Sequence, residues 1–201
     1  PPPSFPLFPS PSLFRSVLLT GPLCSSLKAR FPGARLTILV KTGTEAMVRH
    51  HPHVDEVLTF PKKERGEGKR EWLLRQWRFY RVLGKMGFDW AINTTEGDRG
   101  TIACWLTGAK RRIGVVRPNG KAWRNWLLTD PWISPPGLRH TVLRNLELLI
   151  DPGPMDRSVR MGFSDADGQK VDRILNEAGW DGQQKLVLVH PASRWLFKCW
   201  P

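Results

Sequence analysis

Short apolar runs alternate along this chain with segments in which apolar residues recur every three or four positions, the pattern of buried strands interleaved with amphipathic helices. Leu19, Leu23, Leu27 and Phe31 recur at a spacing of four, with Lys28 and Arg30 near the end and Pro32-Gly33 as a stop, which predicts a helix. LTILV at 36–40 reads as a fully buried strand and VDEVLTF at 54–60 as another, with TGTEAMVRH between them as a helix opening at a Thr. Strand, helix, strand implies parallel pairing. After the charged, glycine-broken loop KKERGEGKR at 62–70, Leu73, Trp77, Tyr80 and Leu83 line one helical face while Arg75, Arg78, Arg81 and Lys85 crowd the other. The spacing predicts a helix with its apolar stripe on the sheet, and its basic face suits an anionic membrane surface.

FDWAIN at 88–93 is the next strand and runs into the polar loop TTEGDRG, which leads to a helix through Ile102, Cys104, Trp105 and Leu106. A loop at the carboxyl end of a strand is where open α/β sheets place ligands. RRIGVV at 111–116 reads as a further strand, and the Trp-rich KAWRNWLLTDPW as a packed or membrane-facing loop. RHTVLRNLELLI at 139–150 is helical, with Val142, Leu146 and Leu149 on one stripe, and DPGP at 151–154 ends it and marks a domain boundary. A second pattern follows: a helix from Asp165 to Ala178, a stop at Gly179, then the β-branched strand KLVLVH at 185–190 feeding PASRWLFKCWP. The opening PPPSFPLFPSPSLF is uncharged and broken by prolines that remove backbone donors, so it is read as neither helix nor central strand and as no secretory signal. The expected organisation is a disordered or aberrant start at 1–16, an α/β domain at 17–150, and a linker with the first part of another domain at 151–201.

Composition narrows the function. Among 201 residues, 31 Lys and Arg stand against 18 Asp and Glu, a net +13 that favours polyanions: nucleic acid, phosphorylated glycans, nucleotides or an anionic membrane face. No apolar run reaches the roughly 20 residues that a spanning helix needs. Trp123, Trp126 and Trp132 form no repeated stacking unit, so nucleic acid is not the expected partner. Cys24, Cys104 and Cys199 have no metal-ligand spacing and read as free thiols of a reducing compartment, and the HHPH cluster of His50, His51 and His53 reads as a solvated loop. No metal site is expected.

The segment HPASRWLFKCWP at 190–201 combines a strand, an exit loop with a hydroxyl, and two cations, Arg194 and Lys198. Such a loop presents backbone N–H groups, the Ser193 hydroxyl and the Lys198 ammonium to a diphosphate. Together with VLLTGPLCSSLKARFPGARLTILV at 17–40, HPHVDEVLTF at 51–60 and NTTEGDRG at 93–100, it resembles the ADP-heptose:lipopolysaccharide heptosyltransferases, with NTTEGDRG and the SRWLFKCW loop closest to the third inner-core, Q-type branch.

That resemblance implies a GT-B fold of two Rossmann-like domains, of which the chain would hold the N-terminal, acceptor-side domain and the start of the nucleotide-sugar domain. It implies inverting, metal-independent transfer of heptose from ADP-heptose, the donor substrate and no separate cofactor, to a heptose of the phosphorylated lipopolysaccharide core. The site would be cytoplasmic, at the inner face of the bacterial inner membrane. Ser193 and Lys198 match the family's pyrophosphate loop, and Asp98 and Arg99 its acceptor-side loop, while Lys110, Arg111 and Arg112 suit core phosphates by charge. The start departs from the family. Its members carry an apolar strand and a Gly-Asp loop before the VLLT-like helix, and that Asp is the expected base; here Arg15-Ser16 stand in the two places. A Ser hydroxyl is no carboxylate base at neutral pH. On this reading the first strand is missing and the 201-residue chain lacks the intact enzyme's activity. The competing readings are a basic, Trp-rich anion-binding module without chemistry and a different GT-B glycosyltransferase.

Overall fold

The computed structural model describes residues 4–8, 13–118, 120–133, 135, 137, 139–149 and 155–189. Its sheet has six parallel strands, β1 (Ser4–Phe8), β2 (Arg35–Lys41), β3 (Glu56–Phe60), β4 (Trp90–Asn93), β5 (Arg111–Val116) and β6 (Asp130–Ile133), in the order β3-β2-β1-β4-β5-β6. The order reverses between β1 and β4, the topological switch point of a doubly wound sheet. The helices are α1 (Leu13–Leu18), α2 (Gly21–Arg30), α3 (Lys69–Lys85), α4 (Asp98–Leu106), α5 (Ala122–Leu127), α6 (Thr141–Leu146) and α7 (Asp165–Glu177).

β2 shows why the sheet is buried on both sides. Its interior residues Leu36 through Val40 are all buried, and successive side chains point to opposite faces. Leu36, Ile38 and Val40 join Val17, Leu23, Leu27, Ile92, Ile113 and Leu149 in one core. Leu39 belongs to the other, with Phe60, Leu83, Ala91, Cys104, Val116 and Leu128. Each fully buried Leu contributes about 1.5–3 kcal/mol relative to leaving it exposed. Burial pushes the Cys24 thiol up to about 12 and raises that of Cys104 as well, so both are packing groups rather than nucleophiles at neutral pH.

Several elements differ from the sequence reading. The proline-rich start is not without a strand: Ser4–Phe8 pairs with β2 through Ser4↔Arg35 to Leu7↔Ile38 and with β4 through Leu7↔Ile92 and Phe8↔Asn93. The first strand is therefore present. Without it β2 and β4 would each expose a row of unpaired backbone groups, and filling that gap outweighs the one donor that Pro6 lacks. The single helix expected over 17–31 is broken. Thr20 Oγ1 donates to the Val17 carbonyl at 2.6 Å, and Gly21-Pro22 restart the chain as α2. Between β2 and β3 only a three-residue 3-10 turn, Glu45–Met47, forms, because Thr44 does not cap and too few residues remain before Pro52 for a full helix. Within HHPH, His51 is buried rather than solvated; its Nδ1 accepts from the His53 backbone N–H, and desolvation lowers its pKa. The Trp-rich stretch holds α5 and β6 instead of a plain loop.

The chain divides into two compact units, Pro1–Phe163 and Ser164–Pro201, so the division falls after the stretch 155–163 rather than at 150. Asp156 N–H donates to Ser26 Oγ at 3.2 Å, which ties that stretch to α2. In the second unit, α7 opens with a reciprocal capping box between Ser164 and Asp167. Residues 185–189 form no strand, and Val187 and Leu188 are exposed.

Candidate active-site cleft

β4 ends in the buried Asn93, whose side chain builds the loop that follows. Its Oδ1 accepts from the backbone N–H of Thr95 at 3.1 Å and from the Thr95 hydroxyl at 2.8 Å, and its Nδ2 donates to Thr101 Oγ1 at 3.3 Å. Thr95 Oγ1 accepts in turn from Gly97 N–H, and Thr101 Oγ1 donates to the Gly97 carbonyl. Asparagine and threonine thus replace ladder bonds where the strand ends. Gly100 lies against the same knot: a Cβ there would stand 2.4 Å from Asn93 Oδ1 and 2.7 Å from Thr95 Oγ1.

This locked loop walls a cavity of about 400 Å³ lined by Ser16, Thr94, Thr95, Glu96, Gly97, Arg117, Thr141, Arg144 and Asn145. It lies beyond the carboxyl ends of β4 and β5, next to the switch point. α6 reaches it because Thr141, Arg144 and Asn145 share one helical face, opposite the buried Val142 and Leu146, and Asn145 Nδ2 donates to the Leu19 carbonyl at 3.1 Å. The Glu96 carboxylate meets Arg117 directly and Arg144 at 3.5 Å, while its backbone carbonyl accepts from Arg124 at 2.6 Å. Two guanidiniums against one carboxylate leave the wall cationic, a surface suited to an anionic, hydroxyl-rich ligand.

The expected site residues are only partly brought together. Ser16 lines the cavity from α1. Asp98 opens α4 beside it, where it accepts from Arg124 Nε at 2.6 Å and Lys121 Nζ at 3.4 Å; the Arg124 hydrogen bond holds its carboxyl below the usual carboxylate range. Arg99 turns instead toward β3, with its guanidinium 4.9 Å from the Phe60 ring centroid. Lys110, Arg111 and Arg112 do not join this group. They stand at the amino end of β5, where Arg111 contacts Asp130 at 3.3 Å and covers the Trp90 ring, and Arg112 donates to the carbonyls of Leu127 and Ala109 at 2.8 and 2.7 Å. Ser193 and Lys198 lie outside the described residues. The sequence reading missed Glu96, Arg117, Arg144 and Asn145. A signal was present for the α6 pair, since Thr141, Arg144 and Asn145 sit at i, i+3 and i+4 on the polar side of the predicted stripe.

The lipopolysaccharide heptosyltransferase 3 of Escherichia coli (strain K12) is 25% identical to this chain over 187 residues, which is 92% of the chain and 53% of that protein. The chain resembles the heptosyltransferases. It spans about half the length of the curated relatives it matches, and no family model matches it. Among solved structures, a glycosyl transferase family 9 protein from Veillonella parvula superposes with a TM-score of 0.81 at 18% identity, covering 100% of this chain and 56% of the other. The Escherichia coli ADP-heptose lipopolysaccharide heptosyltransferase II superposes with a TM-score of 0.62 at 16% identity over 90% of this chain and 52% of its own. The expected fold class, the N-terminal Rossmann-like domain of a GT-B glycosyltransferase, agrees with these neighbours and with the six-stranded sheet. The resemblance is thus to glycosyltransferases of the heptosyltransferase type.

Proposed function

We propose that this chain forms the acceptor-side half of an inverting glycosyltransferase that moves heptose from ADP-heptose to a heptose hydroxyl of the phosphorylated lipopolysaccharide inner core. The observation that carries the reading is that the family-like motif NTTEGDRG is the wall of the cleft at the sheet's switch point. An anion binder driven by charge alone would need neither that loop nor its position.

In this reading the acceptor sugar lies in the cleft, with its hydroxyls on Thr94, Thr95 and Thr141 and its phosphates on Arg117 and Arg144. Glu96 holds the two guanidiniums apart and oriented. Attack by the acceptor hydroxyl on the anomeric carbon breaks the bond to ADP, and with no carboxylate at the family's base position the hydroxyl's proton passes to solvent water. Ser16 stands where the family's Asp is expected, so in this chain the cleft offers a hydroxyl at that place. The charge on departing ADP falls to Ser193 and Lys198, without a metal. The setting is the cytoplasmic face of the bacterial inner membrane, and among the described residues no helix is long and apolar enough to cross it.

The test joins the chain to the remaining half of its curated heptosyltransferase relative and supplies ADP-heptose with a heptose-terminated, phosphorylated core oligosaccharide. Slow ADP release, faster in a Ser16→Asp variant and matched by a product heavier by one heptose with inverted anomeric configuration, is the expected result. Reaction only with a different nucleotide sugar would overturn the donor assignment.

A further inference from the structure

The solvent side of α3 is not the polar face that its sequence suggests. Gln76 and Leu83 are the buried residues of this helix, and Phe79 and Tyr80 are partly buried beside them. Leu73 and Trp77, expected on the sheet, point outward with Leu74: their exposures are 57%, 54% and 55%. An apolar groove of about 500 Å³ runs between Arg70, Leu73, Leu74 and Trp77. A surface helix of a soluble domain places charges opposite its buried stripe. Here large apolar side chains share that face with cations, and the Arg81 guanidinium lies 4.6 Å from the Trp77 ring centroid.

The charge on the face is one-sided. α3 carries Lys69, Arg70, Arg75, Arg78, Arg81 and Lys85 against Glu71. Arg75 is tied to Glu64 and Glu67, while Arg70, Arg78, Arg81 and Lys85 have no carboxylate partner among the described residues. Outward Trp and Leu with unpaired Arg and Lys around them match the interface of an anionic bilayer: the apolar side chains enter the acyl boundary and the cations meet headgroup phosphates.

We infer that α3 is a membrane-docking helix that lies in the plane of an anionic bilayer, with Leu73, Leu74 and Trp77 inserted and Arg70, Arg78, Arg81 and Lys85 on lipid phosphates. The inference deepens the proposed function, whose acceptor is itself a lipid-anchored glycan, and adds the part of the molecule that meets the membrane.

Cosedimentation of the chain with vesicles of phosphatidylglycerol and phosphatidylethanolamine, compared with vesicles of phosphatidylcholine alone, tests it. Binding to the anionic vesicles should be at least about tenfold tighter than to the neutral ones. Leu74→Glu with Trp77→Glu should weaken it by about tenfold or more, as should Arg78→Glu with Arg81→Glu. Leu74→Ser with Trp77→Ser removes the apolar contact without adding charge and should show a loss in the same direction. Lys170→Glu with Arg173→Glu on α7 makes the same change of net charge as the α3 arginine pair and should cost no more than about twofold. Equal losses from the α7 and α3 charge pairs would overturn the assignment in favour of general attraction. So would unchanged binding in the α3 variants, equal binding to neutral vesicles, or a dimer in solution that Trp77→Glu dissolves. Circular dichroism confirms folding of each variant. Because the vesicles contain neither lipopolysaccharide nor ADP-heptose, failure here leaves the transfer assay on soluble core oligosaccharide to stand or fall by itself.

Discussion

Arginines gather at both ends of the parallel sheet, and the two ends use them differently. At the amino ends of the strands, Arg111 is taken up by Asp130 and the Trp90 ring, and Arg112 by the carbonyls of Leu127 and Ala109. These guanidiniums satisfy backbone and side-chain groups of the fold itself. At the carboxyl ends, Arg117 and Arg144 share the single carboxylate of Glu96 on the wall of a cavity of about 400 Å³. One end serves the fold, and the other is the end proposed to receive the acceptor. The type of cation is the same in both places; what separates them is whether the segments opposite supply enough acceptors to consume it.

Five substitutions, in three tests, break or sharpen this contrast, each made in the chain joined to the remaining half of its relative. Ser16→Asp has the largest expected effect, because it returns a carboxylate to the receiving end at the family's base position. Turnover should rise by about 10²-fold, the lower end of what a positioned general base contributes. Unchanged turnover would mean that the acceptor's proton leaves by another route.

Arg144→Ala and Arg111→Ala test the two ends against each other. A charge-assisted contact contributes about 1.5–3 kcal/mol, so Arg144→Ala should raise the acceptor KM by about tenfold or more, and dephosphorylating the acceptor should shrink that difference. Arg111→Ala should leave the KM unchanged and lower only the unfolding midpoint. A larger KM effect from Arg111 than from Arg144 would reverse the assignment of ends.

The smallest expected effect concerns the rigidity of the receiving loop. In Gly100→Ala the new Cβ meets Asn93 Oδ1 at 2.4 Å, so the substitution should destabilise by about 1–3 kcal/mol in urea unfolding. Gly97→Ala meets only Thr95 Oγ1, at 3.7 Å, and its backbone is already in the extended region, so it should cost less, about 0.5–1 kcal/mol for an Ala at the N-cap of α4. Equal midpoints for the two variants would show that the Asn93 knot does not hold the loop.

The arrangement of β2, β4, β5, α4 and α7 was legible because each is a short apolar run or a capped periodic segment, signals carried by neighbouring residues. The place of NTTEGDRG after a strand was legible for the same reason. The partners of its side chains were not. Asp98 reaches Arg124 across 26 residues and Asn145 reaches Leu19 across 126, separations over which no local pattern carries information.

By itself, then, the sequence determined an α/β sheet with a polar loop at the end of the FDWAIN strand, a strongly basic composition and a resemblance to heptosyltransferases, since periodicity, composition and motif are properties of the chain before it folds. The tertiary structure decided three things that depend on what stands opposite. It turned a proline-rich segment into the central strand, because two neighbouring strands leave a gap whose backbone groups must be paired. It spent Arg111 and Arg112 on the scaffold and left Arg117 and Arg144 at the cleft. And it turned Leu73 and Trp77 of α3 outward, because the sheet beneath this helix is already covered by Leu83 and Phe79 with Gln76, whose Nε2 donates to the Pro61 carbonyl.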